Sequence, residues 1–256
     1  MLLVVQNLSK AFGGVRAVDD VSWSIDTGQM RCIIGPNGAG KSTFFQLLIG
    51  RIRADSGRIW FKGGNITRAE PFERAKLGIA VKPQTLGIFT ELSVDLNLRL
   101  AHQRKASGAS LEERIEQQLA ELRLADKRDY LVRELSHGEK QWLALGMALA
   151  LKPNLLLLDE PTAGMSPAET AETVAIIQRT ASERIAVVAV EHDMAFVRDL
   201  GADITVFHNG AIFASGSLAE IEHHDDVRRL YLGTKRLGAV RQRADDAART
   251  PAAPAP

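Results

Sequence analysis

The stretch Gly35-Pro36-Asn37-Gly38-Ala39-Gly40-Lys41-Ser42-Thr43 decides how the rest of the sequence is interpreted. It lies between two apolar runs, residues 30–34 and 44–49, and its spacing matches the pattern G-x-x-x-x-G-K-[ST]. Glycines let the backbone curl so that its N–H groups surround anionic oxygens, and a helix beginning near Lys41 adds the positive end of its dipole. The stretch therefore predicts a strand, a phosphate-binding loop and a helix, rather than a glycine-rich turn with a chance lysine.

This loop predicts that the chain binds a nucleoside triphosphate. Lys41 can reach the outer phosphates, and the hydroxyl of Ser42 can bind Mg²⁺. Lys41 is therefore also a candidate catalytic residue, and Ser42 a candidate metal ligand. We assign every residue of the loop to nucleotide binding: Gly35, Pro36, Asn37, Gly38, Ala39, Gly40, Lys41, Ser42 and Thr43.

The composition of the whole chain is that of an ordinary soluble globular protein. Of its 256 residues, 45% are hydrophobic and 25% are charged, and the formal net charge is +1. This balance gives no electrostatic reason to expect a nucleic-acid partner. The single cysteine, Cys32, excludes an internal disulfide and, because it lies in an apolar strand, is expected to be buried.

No segment of the sequence resembles a membrane helix or a signal peptide. A membrane helix needs roughly 18–20 apolar residues, and the longest candidate runs, residues 142–151 and 185–190, are shorter than that. The N-terminus has neither a basic region nor a cleavage pattern. We therefore expect a cytoplasmic protein in which any contact with a membrane passes through a partner.

Two strongly apolar runs, residues 155–158 and 185–190, indicate parallel strands buried on both faces of a sheet, because a helical segment at about 168–180 separates them. Asn209-Gly210 separates two further short runs and predicts a closing hairpin. The other predicted strands are residues 2–5, 18–25, 57–61 and 78–82, and the other predicted helices are residues 67–77, 93–101, 110–124 and 138–151.

Together these patterns predict an α/β fold with a mostly parallel sheet and an antiparallel β part. The core is predicted at about residues 1–83 and 153–237, with an inserted α-helical subdomain at about 84–152. Residues 238–256 are rich in Ala, Arg, Asp and Pro, and we predict a disordered tail there.

Two carboxylates, Asp159 and Glu160, directly follow the apolar run 155–158. In α/β sheets, ligands bind beyond the carboxyl ends of the strands, so both acids are expected to reach the phosphate site rather than form a chance acidic pair on the surface. Asp159 suits a contact with Mg²⁺ through water. Glu160 suits a general base that polarises the attacking water.

A second anion-binding helix end is indicated by Ser136 and Gly138, at the N-terminus of the predicted helix at 138–151. Taken alone the signal is weak, because a serine before a helix is usually only its N-cap.

With these motifs in order, the chain resembles the ATP-binding subunits of ABC transporters, which have a RecA-like P-loop NTPase core. The resemblance covers about residues 2–233. GPNGAGKST resembles the Walker A motif, LSHGEKQ the LSGGQ signature and LLLLDE the Walker B motif. Gln84 matches the Q-loop glutamine, His192 the switch histidine, residues 163–166 the D-loop, and Phe12 the aromatic residue that stacks on adenine.

The resemblance implies a head-to-tail dimer, with either an identical or a related ATP-binding subunit, in which each ATP lies between the Walker A motif of one subunit and the signature of the other. Ser136 and Gly138 would then contact the γ-phosphate bound by the second subunit. His192 would hold the γ-phosphate and the attacking water, although a histidine after a strand can also cap the next helix. Gln84 would bind Mg²⁺ and sense the transmembrane partner.

The resemblance also implies transmembrane permease subunits and, through them, a solute-binding protein, with this chain peripheral on the inner face of the cell membrane. Residues 85–90 form the candidate docking rim, where Leu86, Ile88 and Phe89 could equally complete the helical core. No nucleic-acid partner is implied, since the chain has one phosphate loop and no sustained heptads.

Departures from the usual motifs narrow the subfamily. His137 and Glu139 replace a glycine and a glutamine of the signature, and Ser166 stands where many D-loops have aspartate. LSHGEKQW, AGMSPAET and VEHDMAFV resemble the ATPases for uptake of branched-chain amino acids, urea and short amides, and Arg31-Cys32 with Gln141-Trp142 favours the urea and short-amide branch. Export, for example of a lipid, by a similar ATPase is the first alternative, and a non-transport ABC ATPase that acts on nucleic acid is the second, less favoured one.

Overall fold

A six-stranded sheet forms the centre of the molecule in the computed structural model, which describes residues 1–85, 87–102, 109–182 and 185–229. The strand order is β10-β9-β3-β8-β7-β6, and neighbouring strands are parallel except β9 and β10, which form the predicted hairpin. The strands are β3 (Met30–Ile34), β6 (Ile79–Lys82), β7 (Leu155–Asp159), β8 (Ala186–Val190), β9 (Asp203–His208) and β10 (Ala211–Gly216).

Side chains of the central strands alternate between two apolar cores. In β7, Leu156 and Leu158 belong to the core that contains the helical region, whereas Leu155 and Leu157 belong to the core shared with the second sheet. All residues of β8 are buried. The predicted parallel sheet covered on both faces is therefore confirmed.

The second sheet is antiparallel, with strand order β2-β1-β4-β5. Its strands are β1 (Leu3–Phe12), β2 (Val15–Ile25), β4 (Ser56–Phe61) and β5 (Gly64–Asn65). The prediction for β1, residues 2–5, was too short. Asn7 is left-handed (φ 48°) and the register with β2 shifts between Val5 and Leu8, so the period-two pattern breaks halfway along the strand.

Two short helices flank this part of the chain, α1 (Lys41–Ile49) and α2 (Pro71–Leu77). The predicted helix at 67–77 begins four residues late, at Pro71, because Glu70 and Glu73 form a reciprocal cap there. Thr67 instead belongs to a turn in which its N–H donates to the side chain of Asn65 at 3.0 Å.

The helical region contains α3 (Val94–His102), α4 (Ala109–Glu121) and α5 (His137–Ala150). Ile115, Leu119 and Leu122 are buried. The predicted helix at 110–124 ends at residue 121, because Arg123 has φ 55° and cannot continue it. The remaining helices are α6 (Pro167–Ser182), α7 (Met194–Leu200), α8 (Leu218–His223) and α9 (Asp225–Val227), and two 3₁₀ turns span Ala125–Lys127 and Val132–Glu134.

Across the described ranges, none of the helices is long and apolar enough to cross a bilayer. The predicted tail at 238–256 lies outside those ranges, and the subdomain boundaries stay predictions.

Candidate functional site

The phosphate loop connects β3 to α1, as predicted. Gly40 has φ 102°, and a Cβ on it would lie 2.2 Å from the carbonyl oxygen of Ala17. A Cβ on Gly35 would lie 2.3 Å from the carbonyl oxygen of Phe207. Both positions need glycine because neighbouring backbone leaves no room for a side chain. Gly40 also offers no side-chain cap, so the first N–H groups of α1 are available to an anion.

The side chain of Lys41 crosses this loop. Its Nζ donates to the carbonyl oxygens of Gly35 at 2.8 Å and Pro36 at 3.0 Å. Burial lowers the pKa of Lys41, and the negative charge of Glu160 opposes that shift. Lys41 and Glu160, two of the predicted catalytic residues, are therefore close enough for their charges to interact. Within the loop, Pro36, Asn37, Gly38 and Ser42 are exposed, Gly35 and Ala39 are buried, and Gly40, Lys41 and Thr43 are half-buried.

Asp159 and Glu160 lie at the carboxyl end of β7, as predicted. Burial raises the pKa of Asp159 and the charge of Glu160 raises it further, whereas Lys82 lowers it. Glu160 itself has φ 45°, and its N–H donates to the carbonyl oxygen of Val190 at 3.0 Å. A left-handed conformation is unfavourable for a residue with a Cβ, and such strained residues cluster at functional sites.

Gln84 and His192 converge on the carboxylate of Glu160. The Nε2 of Gln84 donates to Oε2 at 2.9 Å, and the Nδ1 of His192 lies 3.7 Å from Oε1. Helix α7 is capped by Asp193, whose carboxylate accepts from the N–H of Ala195 at 2.8 Å. His192 is therefore not the cap of the helix that follows it.

A buried carboxylate that sequence reasoning missed, Glu191, supports this cluster. Its Oε1 accepts from the N–H of Thr162 at 3.1 Å and from the Thr162 hydroxyl at 2.8 Å, and its Oε2 accepts from the N–H of His192 at 3.1 Å. Glu191 thus ties the loop after Glu160 to His192, in the segment between β8 and α7. In the sequence it is marked only by its place directly after an apolar strand.

Lys82, also missed, is the cation that accompanies these buried acids. Its side chain is only 1% exposed. Burial lowers its pKa to about 8, and the negative charges of Glu191 and then Asp159 oppose that shift. A lysine at the end of a short apolar strand gave no sign of burial in the sequence.

Phe12 ends β1 and pairs with Val15 across the turn. Its ring is half-exposed, and the Nζ of Lys10 lies 5.4 Å from the ring centroid. The same hairpin meets the phosphate loop at Ala17. An exposed ring on this hairpin suits the predicted stacking on adenine, which stays a prediction.

Ser136 is the N-cap of α5. Its hydroxyl accepts from the N–H of Glu139 at 3.2 Å, and Glu139 accepts from the N–H of Ser136 at 2.8 Å. Ser136 is therefore an N-cap, the simpler of the two interpretations of its position before a helix. Among the described residues, the polar contacts of Ser136 and Gly138 are with α5 and with Glu169 of α6, and not with the phosphate loop of the same chain.

Within the candidate docking rim, residues 85–90, one apolar side chain is exposed as docking would require, and another completes the helical core. Phe89 is 54% exposed. Ile88 instead packs against the core of the helical region. Leu86 lies outside the described residues.

The residues at this edge of the sheet fit Mg²⁺ by their chemistry. Mg²⁺ is usually held by one or two carboxylates together with phosphate oxygens and water, not by a cage of protein ligands. The Asp159 carboxylate, the Ser42 hydroxyl and the Gln84 amide supply such oxygen donors. In the described parts of the chain, His, Cys, Asp and Glu form no metal-binding group of three or more.

Comparison with known proteins agrees with these motifs. A family model described as ABC transporter matches residues 18–163. The chain belongs to the ATP-binding subunits of ABC transporters. It is an ATPase that hydrolyses ATP for transport, and proteins of this family act as dimers with permease subunits.

Among its relatives, this ATP-binding subunit is 34% identical to the lipopolysaccharide export system ATP-binding protein LptB of Acidithiobacillus ferridurans, over 91% of this chain and 97% of that protein. It is 33% identical to LptB of Escherichia coli K12, over 90% and 97%. An ATP-binding cassette of an ABC transporter in its ADP conformation is 29% identical, with a TM-score of 0.80 over 91% of this chain and 98% of that one. These likenesses confirm the ABC ATPase fold.

Proposed function

We propose that this subunit hydrolyses ATP at a dimer interface and drives import of a small polar solute through partner permeases. The observation that carries the proposal is the convergence of Gln84, Glu160 and His192 beside Lys41, while Ser136 and Gly138 contact α6 instead. The site of one chain thus has its base and its phosphate loop but lacks the signature. A second copy or a related subunit would supply it.

Each residue has a role that its surroundings support. Lys41 exchanges its two carbonyl acceptors for outer phosphate oxygens. Glu160 accepts the proton of the attacking water, while Gln84 donates to one oxygen of its carboxylate and His192 lies close to the other. His192 also donates to the γ-phosphate. Phe12 stacks on the adenine.

Ser42, Asp159 and Gln84 would hold Mg²⁺ through their oxygen atoms. Bound there, the ion would neutralise charge on the phosphate oxygens. Gln84 donates to Glu160 through its Nε2, so its amide oxygen is the atom that can face the metal. A movement of Gln84 would therefore change the base and the metal site together, which is how permease contact could reach the chemistry.

For the solute, we propose branched-chain amino acids or urea and short amides. The support is the likeness of LSHGEKQW, AGMSPAET and VEHDMAFV to that uptake group. The subunit would then lie on the inner face of the membrane, bound to permeases that receive solute from a binding protein.

Lipid export is the second candidate, favoured by 34% identity to a lipopolysaccharide export ATPase over nearly the whole chain. Purification of the intact complex from native membranes in mild detergent separates the two. Copurifying permeases whose transport assay takes up amino acids or amides support import. Partners that extract lipid contradict it.

Replacing Glu160 by Gln tests the base. The variant should lose turnover yet still bind ATP and form a dimer, because the amide keeps the shape of the carboxylate but cannot take the proton. Gel filtration with ATP measures dimer formation on ATP binding, and a phosphate-release assay measures turnover. Hydrolysis at the wild-type rate in this variant would exclude Glu160 as the base.

A mixed dimer tests the shared site. Dimers of Ser136→Ala or Lys41→Ala chains have two damaged sites, whereas a dimer of one Ser136→Ala and one Lys41→Ala chain has one intact site. The mixture should therefore exceed both homodimers in ATPase activity. No gain on mixing would remove the support for the trans arrangement.

A further inference from the structure

The carboxylate of Glu169, in the first turn of α6, lies at the N-terminus of the neighbouring helix α5. Its Oε1 accepts from the hydroxyl of Ser136 at 3.4 Å, and the backbone of Gly138 lies against the same carboxylate. A Cβ on Gly138 would lie 2.2 Å from the same oxygen. The carboxylate therefore occupies the place where the donors of this helix end would receive an outside anion.

Under the proposed function, on which this inference rests, the outside anion is the γ-phosphate of the ATP held by a second subunit. A carboxylate and a phosphate cannot use the same donors at once, because like charges at such a distance repel. Closing of the dimer on ATP therefore requires Glu169 to leave Ser136 and Gly138.

We propose that Glu169 is an internal competitor of the γ-phosphate at the signature helix. It binds the donors of Ser136 and Gly138 until ATP of the second subunit displaces it, and so sets the ATP concentration at which the dimer closes. Glu169 does not touch the reacting atoms, so it is a positioning residue.

The other oxygen of Glu169 fixes the carboxylate in this place. Oε2 accepts from the N–H of Ser166 at 2.8 Å and from the Ser166 hydroxyl at 2.7 Å. In return, the N–H of Glu169 donates to the Ser166 hydroxyl at 3.3 Å. This reciprocal cap starts α6 and keeps the carboxylate pointed at α5.

Two further contacts hold α5 against α6 and the loop before it. The Nε2 of His137 lies 2.9 Å from the carbonyl oxygen of Ala163, and the Nε1 of Trp142 donates to the hydroxyl of Thr173 at 2.9 Å. His137 and Ser166, two of the departures from the usual motifs, thus belong to the contact that brings Glu169 to the signature helix.

Replacing Glu169 by Gln in the full chain tests the competition. Glutamine also forms the reciprocal cap with serine, but it carries no charge. The ATP concentration for half-maximal hydrolysis should fall roughly two- to fivefold, the effect expected when a charge leaves a helix N-terminus, with kcat unchanged. Affinity for ADP, which has no γ-phosphate, should not change.

Glu220→Gln is the matched control. Glu220 makes the same cap with Ser217 at the start of α8, accepting from its N–H at 2.7 Å and its hydroxyl at 2.9 Å, far along the chain from the signature. This variant should hydrolyse ATP with wild-type half-saturation.

Half-saturation that is unchanged or higher in Glu169→Gln would overturn the competition, and so would an equal fall in Glu220→Gln or in the dissociation constant for ADP. A wild-type chain without ATP hydrolysis would overturn the proposed function together with this inference. Hydrolysis with an unmoved half-saturation contradicts the inference alone.

Discussion

Replacing Glu191 by Gln should damage stability and catalysis together, because this buried carboxylate joins two loops of the site. Its oxygens accept two hydrogen bonds from Thr162 and one from the N–H of His192. A glutamine can keep one oxygen toward Thr162. Its NH₂ group then faces the N–H of His192, donor against donor.

The size of the effect follows from these contacts. One bond to a charged acceptor is lost, and two change to a neutral acceptor. Since bonds to charged groups contribute more than neutral ones, the free energy of unfolding should fall by about 3 kcal/mol. For a chain of this length that corresponds to a fall in Tm of about 6–12 °C.

The same substitution should change how stability depends on pH. The pKa of Lys82 is lowered from 10.5 to about 8, so between those values the unfolded chain binds a proton that the folded chain lacks, and this group makes stability rise with pH. The negative charge of Glu191 raises the pKa of folded Lys82, so that pKa should lie below 8 in the variant. The stability of the variant should therefore begin to rise with pH below pH 8. The deficit of the variant should therefore be larger at pH 6.5 than at pH 9.

Calorimetry at both pH values and a phosphate-release assay well below Tm measure these effects. Glu222→Gln is the control, since Glu222 is only half-buried and its carboxylate lies 3.5 Å from Arg198 in a surface ion pair. Such a pair contributes about 0–1 kcal/mol. If Glu191→Gln melted like this control and kept its kcat, Glu191 would not organise the site.

Replacing Arg74 by Met should lower the free energy of unfolding, measured in urea, by about 3–5 kcal/mol. Its buried guanidinium donates to backbone carbonyls at the end of α1 and in the loop before α2, and these carbonyls would lose their charged donor. A small loss would refute that role. Burial raises the pKa of the Cys32 thiol to about 12, so iodoacetamide at mildly alkaline pH should label it only after unfolding. Mass spectrometry detects the label, and rapid labelling of the folded chain would contradict this. Gly40→Ala should abolish nucleotide binding in calorimetric titration, since its Cβ would lie 2.2 Å from the Ala17 carbonyl oxygen, whereas Gly63→Ala, with nothing within 4 Å, should bind normally. Equal nucleotide affinities of the two variants would show that the backbone around Gly40 can move to make room for a Cβ.

Local sequence patterns predicted the strands and helices whose bounds depend only on nearby residues. Strand β3 has the predicted bounds and α5 lies within one residue of them, since an apolar run or a helical period needs no distant partner to be recognised. The phosphate loop, Asp159 and Glu160 were predictable for a related reason. Their chemistry requires a fixed spacing or a fixed place after a strand.

Residues whose role depends on distant contacts were not predictable in this way. In the sequence Glu191 is only an acid after a strand, and its role depends on the hydrogen bond with Thr162, 29 residues away. Lys82 likewise looks like an ordinary lysine, and its role depends on the charges of Glu191 and Asp159. Glu169 could have been recognised as a helix cap from Ser166 three residues earlier. The contact of Glu169 with α5 could not be predicted, because a capping pattern does not indicate which helix packs beside it.

Two of these missed residues meet one segment of the chain, residues 160–169: Glu191 binds Thr162 in it, and Glu169 lies at its end. At its start the N–H of Glu160 is held by β8, and Thr162 is held by Glu191. At its end Ala163 contacts His137, and Glu169 contacts Ser136. A displacement of the base at one end can therefore reach the signature helix at the other through these bonds. Since that helix end serves the second subunit's ATP in the proposed dimer, the segment and its hydrogen bonds to α5 connect the base of one site to the signature of the other.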